Sequence, residues 1–315
     1  MFGLSLLITY KTITPISLLF VMFLLGCGAA MRMPAWKTIM SSLVTHAETH
    51  NAATLNGMSF NFARAVGPAL AGLIALSANI SLIFWSNTLS VLGMAFVISP
   101  WRLAHAVPHW SSCKQAASPH NHGFSLILCT KKFQALLLRT FCIFFGTSSI
   151  WSLLPAFAGI QLRMSLLSTG LLLGIIGAGA VLGGFFIPLL KARLGSDRLT
   201  CSASILIGLA LLLISLTHGF LPLCFALMII GFGWAFLVSS LNGTAQSMFP
   251  VGIRARALSI YLMSMYGGTS LGGWVWGYLS VHQGLCFSFF TSGFFLFICG
   301  FFESLTCKQN YNHSA

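Results

Sequence analysis

The sequence predicts an all-α protein that crosses a lipid bilayer many times. Of its 315 residues, 57% are hydrophobic and only 6% are charged, and the mean hydropathy is +0.91. Soluble domains carry about 25% charged residues, so a chain with 16 basic and 3 acidic residues cannot cover a globular surface with charge. These few charges are separated by long uncharged stretches, which is typical of polytopic membrane proteins.

The uncharged stretches determine how many membrane spans are expected. A hydrocarbon core about 30 Å thick is crossed by ~20 helical residues, so each stretch has room for one or two spans. In chain order the stretches accommodate one, two, one, one, two and two helices, over residues 12–31, 65–101, 140–162, 164–190, 199–253 and 257–302. The sequence therefore predicts nine full transmembrane helices.

Nine segments fit these spans in length and composition. They run over residues 13–32, 55–76, 80–100, 134–159, 169–190, 199–217, 220–243, 256–280 and 284–305. Residues 1–10 precede them and are apolar, but they are too short to span, and no basic residue stands ahead of them as in a secretory signal. We interpret this stub as an N-terminal half-helix.

Basic residues indicate which loops face the cytoplasm, because Lys and Arg concentrate in short cytoplasmic loops. If the loop after residue 32 is inside, thirteen of the basic residues are cytoplasmic, Lys11 and Arg163 are outside, and Arg64 lies within a span. The C-terminus is then cytoplasmic. The net charge of +13 reflects this topology, so the expected partner is the lipid bilayer and not nucleic acid.

Glycine spacing indicates two pseudo-repeated halves. A shift of 205 residues superposes Gly26 on Gly231, Gly28 on Gly233, Ala30 on Ala235, Ala52 on Ala257, Gly67 on Gly272 and Gly72 on Gly277. Because glycines mark close approaches between helices, the shared pattern predicts duplicated six-helix halves. The expected division is an N-terminal half at 1–100, a cytoplasmic linker at 101–133, a C-terminal half at 134–307 and a cytoplasmic tail at 308–315.

The same shift predicts that the first half is truncated. Met1 corresponds to Leu206, so the counterparts of residues 134–205 are expected to be missing, which amounts to 72 residues. That length is two helices and half of a third. A truncated gene, a misassigned start codon and a translated degenerate reading frame all fit this pattern.

Histidines and cysteines offer a possible metal site, since both are common ligands. The linker contains His105, His109, Cys113, His120 and His122. Their spacing fits no standard zinc pattern, so a solvated linker without metal is expected. The nine cysteines lie mostly within predicted spans and contain no C-x-x-C, which favours buried thiols over a disulfide framework.

Two runs resemble a known family. AWKTIMSSLVTHAETHNAATLNGMSFNFARAVGPALAG, residues 35–72, resembles the fourth-to-fifth helix region of the major facilitator superfamily, closest to its enterobactin-exporter-like and macrolide-exporter-like branch. QSMFPVGIRARALSIYLMSMYGGTSLGGWVWGYL, residues 246–279, is similar to that branch's tenth-to-eleventh helix connection. With the hydropathy pattern the resemblance covers essentially the whole chain, except that the family's first two helices are missing. It implies a facilitator-type helical bundle in a bacterial inner membrane.

The segment Gly67-Pro68-Ala69-Leu70-Ala71-Gly72 resembles the fifth-helix motif of exporters in this superfamily. Pro68 removes a backbone donor and bends the helix, while Gly67 and Gly72 allow a neighbour to pack at the bend. A kinked, tightly packed helix is suited to act as a pivot or a seal. The alternative is that this hexapeptide has no exporter-specific role, because Gly and Pro are common in membrane helices generally.

Polar residues near this motif form a candidate cavity face. Asn56, Asn61 and Arg64 recur at helical spacing, and Arg64 is the basic residue placed well inside a predicted span. An intramembrane charge is costly and rarely faces lipid. These side chains are therefore expected either to contact the substrate or the opposing half, or to form a structural hydrogen-bond network. The sequence leaves both alternatives open.

Charged residues at two connections are candidates for a cytoplasmic gate. Arg193, Asp197 and Arg198 lie in KARLGSDR, where the resemblance places the second copy of the family's loop motif, and an ordinary turn is the alternative. Arg254 and Arg256 follow Phe249-Pro250, where the family usually has an acidic residue and this chain has Val251 and Gly252. Anchoring by the positive-inside rule also explains these two arginines.

The expected function is secondary active transport, which the exporter-like helix-five motif, the repeat and the linker between the halves favour over an intramembrane enzyme. The three acids lie at predicted loops or helix ends, there is no G-x-x-x-x-G-K-[ST] phosphate loop, and no catalytic set of side chains is visible within the spans. The resemblance implies a cofactor-free monomer that exports a small amphipathic molecule, siderophore-like or drug-like, in exchange for protons. The alternative is a truncated remnant that no longer transports.

Overall fold

A computed structural model describes residues 14–28, 80–104, 129–217, 219–249 and 251–312, together with Ser59, Ala63 and Gly67. Its elements are helices, and no β-strand occurs within these ranges. The predicted all-α fold is therefore confirmed. The chain divides into two units, Met1–Ser111 and Ser112–Ala315.

The first unit contains two described helices. Helix α1 covers Pro15–Gly28 and α2 covers Ile80–Ala104. Thr14 caps the start of α1, since Ser17 N donates to Thr14 Oγ1 at 3.2 Å and Thr14 N donates to Ser17 Oγ at 2.9 Å. The N-terminal stub and most of the predicted span 55–76 lie outside the described residues, as does most of the linker.

The second unit contains the remaining helices. Helix α3 covers Lys131–Ala156 and continues into a π-helical turn at Phe157–Gln161. It is followed by α4 at Leu166–Leu216, α5 at Phe220–Ser247, α6 at Val251–Gln283 and α7 at Leu285–Asn312. Each of the six segments predicted for this half lies over one of these helices.

Helix α4 holds two of the predicted spans. Its φ of 76° and ψ of 167° at Gly195 interrupt the helix at a single residue, in a backbone region that is essentially restricted to glycine. We call the part before this kink α4a (166–194) and the part after it α4b (196–216). The expected loop KARLGSDR is therefore wrong in form, because helix runs up to Gly195 and resumes directly after it.

Glycines bring the helices of the second unit together in pairs. A Cβ atom on Gly179, Gly183 or Gly231 would collide with backbone atoms where α4a meets α5. Similar collisions would occur at Gly268 and Gly272 where α6 meets α3, and at Gly208 and Gly293 where α7 meets α4b. Close backbone approach through small residues is the usual packing of membrane helices.

Four described helical segments are long and apolar enough to cross a membrane. They are Lys131–Gln161, Ser168–Leu216, Phe220–Ser247 and Leu285–Ser304. The second of these has 49 residues because it continues through the kink and contains both α4a and α4b. Helix α6 overlaps the predicted span 256–280 but is not among the four, so the count of nine spans stays a prediction.

Candidate functional site

A charged cluster lies where α3, α4b and α7 meet. Arg139 of α3 donates from Nη1 to Asp197 Oδ1 at 2.9 Å and from Nη2 to the Asp197 carbonyl oxygen at 2.9 Å. Its Nε donates to Glu303 Oε2 at 3.0 Å, and Nη2 also approaches Cys201 Sγ at 3.4 Å. One guanidinium thereby links three helices that are far apart in the sequence. We call Arg139, Asp197, Cys201 and Glu303 the charged cluster.

The two ion pairs of the cluster differ in solvent exposure. The Arg139 and Glu303 side chains are 15% and 19% exposed, whereas Asp197 is 67% exposed. Water and salt screen the Arg139–Asp197 pair, so its contribution to stability is small. The Arg139–Glu303 pair is largely withdrawn from water, and each charge depends on the other for compensation.

The kink at Gly195 positions Asp197 for this contact. The turn at Gly195 lets α4b begin within reach of α3, and Ser240 Oγ of α5 donates to the Ser196 carbonyl oxygen at 2.5 Å. The connection between α4a and α4b is thus bonded to two other helices. Arg139 of α3 bonds Asp197, and Ser240 of α5 bonds Ser196.

The predicted gate residues are placed as follows. Asp197 contacts Arg139, which is not among the gate residues predicted from the sequence. Arg193, Arg198 and Arg256 are exposed. Arg254 lies in α6, but its side chain lies outside the described set. The structure therefore brings Asp197 of α4b into an ion pair with Arg139 of α3.

The cavity and exporter-motif candidates fall mainly on undescribed residues. Asn56, Asn61, Arg64, Pro68 and Gly72 lie outside the described set. Gly67 is helical, and a Cβ there would have no described atom within 4 Å. The proposed cavity face and helix-five motif therefore remain predictions.

Aromatic side chains join α3 to α5 within the bundle. Trp234 packs edge-to-face against Trp151 and Phe144, with ring centroids 5.5 Å apart in both pairs. Phe144 and Trp234 are buried, whereas Trp151 is half-buried. Aromatic faces of this kind bind apolar and aromatic small molecules through their large contact area. We call Phe144, Trp151 and Trp234 the aromatic cluster.

A signal for the charged cluster was present in the sequence. Arg139 lies eight residues after the start of α3 at Lys131, and Glu303 lies nine residues before the end of α7 at Asn312. Opposite charges at matching depths of antiparallel helices are expected to pair when the helices are neighbours. The missing information was which helices are neighbours, since hydropathy locates spans but does not order them in space.

The described residues contain no group of three His, Cys, Asp or Glu side chains that converge to hold a metal ion. A search of curated proteins finds no significant match to the chain. A family model described as a transmembrane secretion effector matches residues 2–313.

Proposed function

Because the chain belongs to the transmembrane secretion effector family of the major facilitator superfamily, we propose that it exports a small amphipathic molecule by secondary active transport. The family match, which extends over residues 2–313, is the observation that carries this proposal. It does not favour the alternative of a remnant that has lost transport.

Transport by alternating access requires at least one half that moves as a body around a central site. The packing of the second unit supports this role. Close backbone contacts at Gly183 and Gly231 join α4a to α5, a close contact at Gly272 joins α6 to α3, and Arg139 ties α3 to α4b and α7. We propose that these helices rock together while substrate access switches between the two sides of the membrane.

The substrate class is proposed from the aromatic cluster. Trp151 of α3 is half-buried, and its ring packs against the buried Trp234 of α5, which in turn packs against Phe144. Such a surface favours a molecule with an aromatic or extended apolar part, as in siderophore-like or drug-like compounds. We propose proton exchange as the driving force, in line with the exporter branch that the sequence resembles.

The test is transport into inverted membrane vesicles from bacteria that produce the full chain. The amphipathic dye Hoechst 33342 and a catecholate siderophore serve as probes, and the energy source is an imposed pH gradient, acid inside. We expect accumulation of at least one probe that stops when a protonophore collapses the gradient. Vesicles without the protein provide the background.

Two results would contradict parts of the proposal. Accumulation that follows a sodium gradient and ignores the protonophore would exclude proton exchange while leaving export intact. An absence of gradient-dependent movement for both probes, in vesicles where immunoblotting shows the protein in the membrane, would instead favour the non-transporting alternative.

A further inference from the structure

Helices α3 and α7 meet along a regular antiparallel seam. From one end to the other, Arg139 pairs with Glu303 at 3.0 Å, a Cβ on Gly146 would overlap the Leu296 side chain, and Ser292 Oγ donates to Ser149 Oγ at 2.9 Å. Successive positions on each helix are three to seven residues apart and lie on one face. The contacts therefore fix the register of the two helices.

Cysteines occupy the remaining step of this seam. Cys142 lies one turn from Arg139 and Cys299 lies one turn from Glu303, so the contacts on either side bring the two thiols next to each other. Both cysteines are free and half-buried. The neighbouring contacts fix the register of α3 and α7, and this register places Cys142 opposite Cys299. The packing of the two helices therefore determines the pairing.

We propose that Cys142 and Cys299 form an oxidation site, at which a peroxide-class oxidant converts the two thiols into a reversible disulfide between α3 and α7. The site is independent of the proposed transport function. It is also compatible with the free thiols of this structure, because the two reduced cysteines occupy the same step of the seam.

The geometry favours a bond between these two residues. A disulfide requires close approach of both Cβ atoms, and Gly146 provides it, because the absence of its side chain lets α3 approach Leu296 one turn away. The Arg139–Glu303 contact on one side and the Ser149–Ser292 contact on the other fix which face of each helix meets its neighbour. Neither cysteine has to change its helix face to reach the other.

The chemistry balances with hydrogen peroxide as the oxidant. Peroxide first oxidises one thiol to a sulfenic acid and releases one water. The thiolate of the second cysteine then attacks this sulfur, forms the S–S bond and displaces a second water after protonation. Two thiols lose two protons and two electrons, and one peroxide accepts both. A dithiol reductant reverses the reaction by thiol–disulfide exchange.

The experiment uses the full chain in native membranes. Membranes are treated with hydrogen peroxide or left untreated, sulfenic acids are blocked with dimedone, and free thiols are then alkylated with membrane-permeant N-ethylmaleimide. After reduction, newly exposed thiols are alkylated with an isotopically heavy reagent, and mass spectrometry assigns each cysteine. We expect Cys142 and Cys299 to change together from light to heavy label, with an intact-mass loss of two hydrogens in the oxidised protein.

Single-cysteine variants separate this pair from general oxidation. In Cys142→Ser, Cys299 is expected not to acquire the heavy label after peroxide, because it can form a sulfenic acid but not the disulfide. Cys299→Ser should have the same effect on Cys142. Cys224→Ser is the matched control, because Cys224 is half-buried on α5, and there Cys142 and Cys299 should respond as in the unmodified chain.

Two outcomes would overturn the proposal. The first is a light label on both cysteines after a peroxide dose that fully oxidises added glutathione. The second is a heavy label on Cys299 in Cys142→Ser, because Cys299 would then have a different disulfide partner. The proposal is supported if both cysteines take the heavy label in the unmodified chain and neither remaining cysteine does so in Cys142→Ser or Cys299→Ser.

Discussion

At the scale of single residues, Arg139 occupies a position that requires the donor geometry of a guanidinium group. The guanidinium presents five N–H donors in a planar fork, and here Nε, Nη1 and Nη2 each donate to a different acceptor atom. Lysine offers a point charge on a flexible stem and does not bridge two acids in fixed directions. At 15% exposure, the Arg139 charge is mostly removed from water and is compensated chiefly by Glu303.

We predict that Arg139→Ala lowers the free energy of unfolding by about 3 kcal/mol, because removing one partner of a buried ion pair leaves the other charge uncompensated. The measurement is reversible unfolding of the detergent-solubilised protein by sodium dodecyl sulfate. Adding Glu303→Gln to Arg139→Ala should recover part of the loss, since it removes the uncompensated carboxylate.

Arg193→Ala is the control for this prediction, because Arg193 is an exposed arginine two residues before the kink at Gly195. It should change the free energy of unfolding by no more than about 0.5 kcal/mol. Equal losses for Arg139→Ala and Arg193→Ala would show that the charged cluster does not stabilise the second unit.

At the scale of elements, hydropathy predicted where helices lie but not how they continue or pair. The range 134–159 lies in α3 and its π-helical turn, and 199–217 ends one residue past α4, because long apolar segments have few alternatives to helix in a membrane. The charges of KARLGSDR suggested a loop, although Lys, Ala, Arg and Leu are good helix formers and only Gly195 breaks the helix. Glycine spacing predicted close contacts at Gly231 and Gly272, but one sequence cannot say which helix each would meet.

Neighbouring glycines on α4a provide a matched test of helix packing. A Cβ on Gly183 would lie 2.7 Å from the carbonyl oxygen of Phe232, whereas a Cβ on Gly184 meets nothing within 4 Å among the described atoms. Gly183→Ala is therefore expected to lower the free energy of unfolding by about 1–3 kcal/mol through overpacking. Gly184→Ala should be neutral or slightly stabilising, because alanine favours helix.

The same unfolding assay measures both alanine variants. Comparable stability for Gly183→Ala and the unmodified chain would mean that α4a and α5 separate easily. In that case the second unit would not act as one moving body.

At the scale of the whole molecule, the distribution of basic residues predicts orientation. Lys131 stands at the start of α3 and is exposed, and Arg163 is exposed in the connection between α3 and α4. One crossing of the membrane therefore separates these two residues. The positive-inside rule assigns Lys131 to the cytoplasm because most of the chain's basic residues share its side.

Cysteine labelling in intact bacteria tests this orientation. We expect Arg163→Cys to react with a membrane-impermeant maleimide from outside the cell. Lys131→Cys and Arg256→Cys should react only after the membrane is permeabilised, and the unmodified chain gives the background from its native cysteines. The reverse labelling pattern would invert the topology and move the charged cluster to the outer side.

The pairing of α3 with α6 also has a consequence for synthesis of the protein. Ser264 Oγ donates to the Leu137 carbonyl oxygen at 2.7 Å across a sequence separation of 127 residues. A ribosome adds about 5–20 residues per second, so a nascent α3 waits roughly 6–25 s in the bilayer before α6 emerges.

During this interval α6 is not yet available to bond the hydroxyl groups of α3. Thr140 donates to Leu136 O at 2.8 Å, Thr147 donates to Ile143 O at 2.9 Å, and Ser152 donates to Ser148 O at 2.9 Å. Each hydroxyl is thus satisfied within its own helix, and an unsatisfied polar group in hydrocarbon is avoided. The nascent helix can therefore reside in lipid as an independent insertion intermediate until its late-synthesised partner arrives.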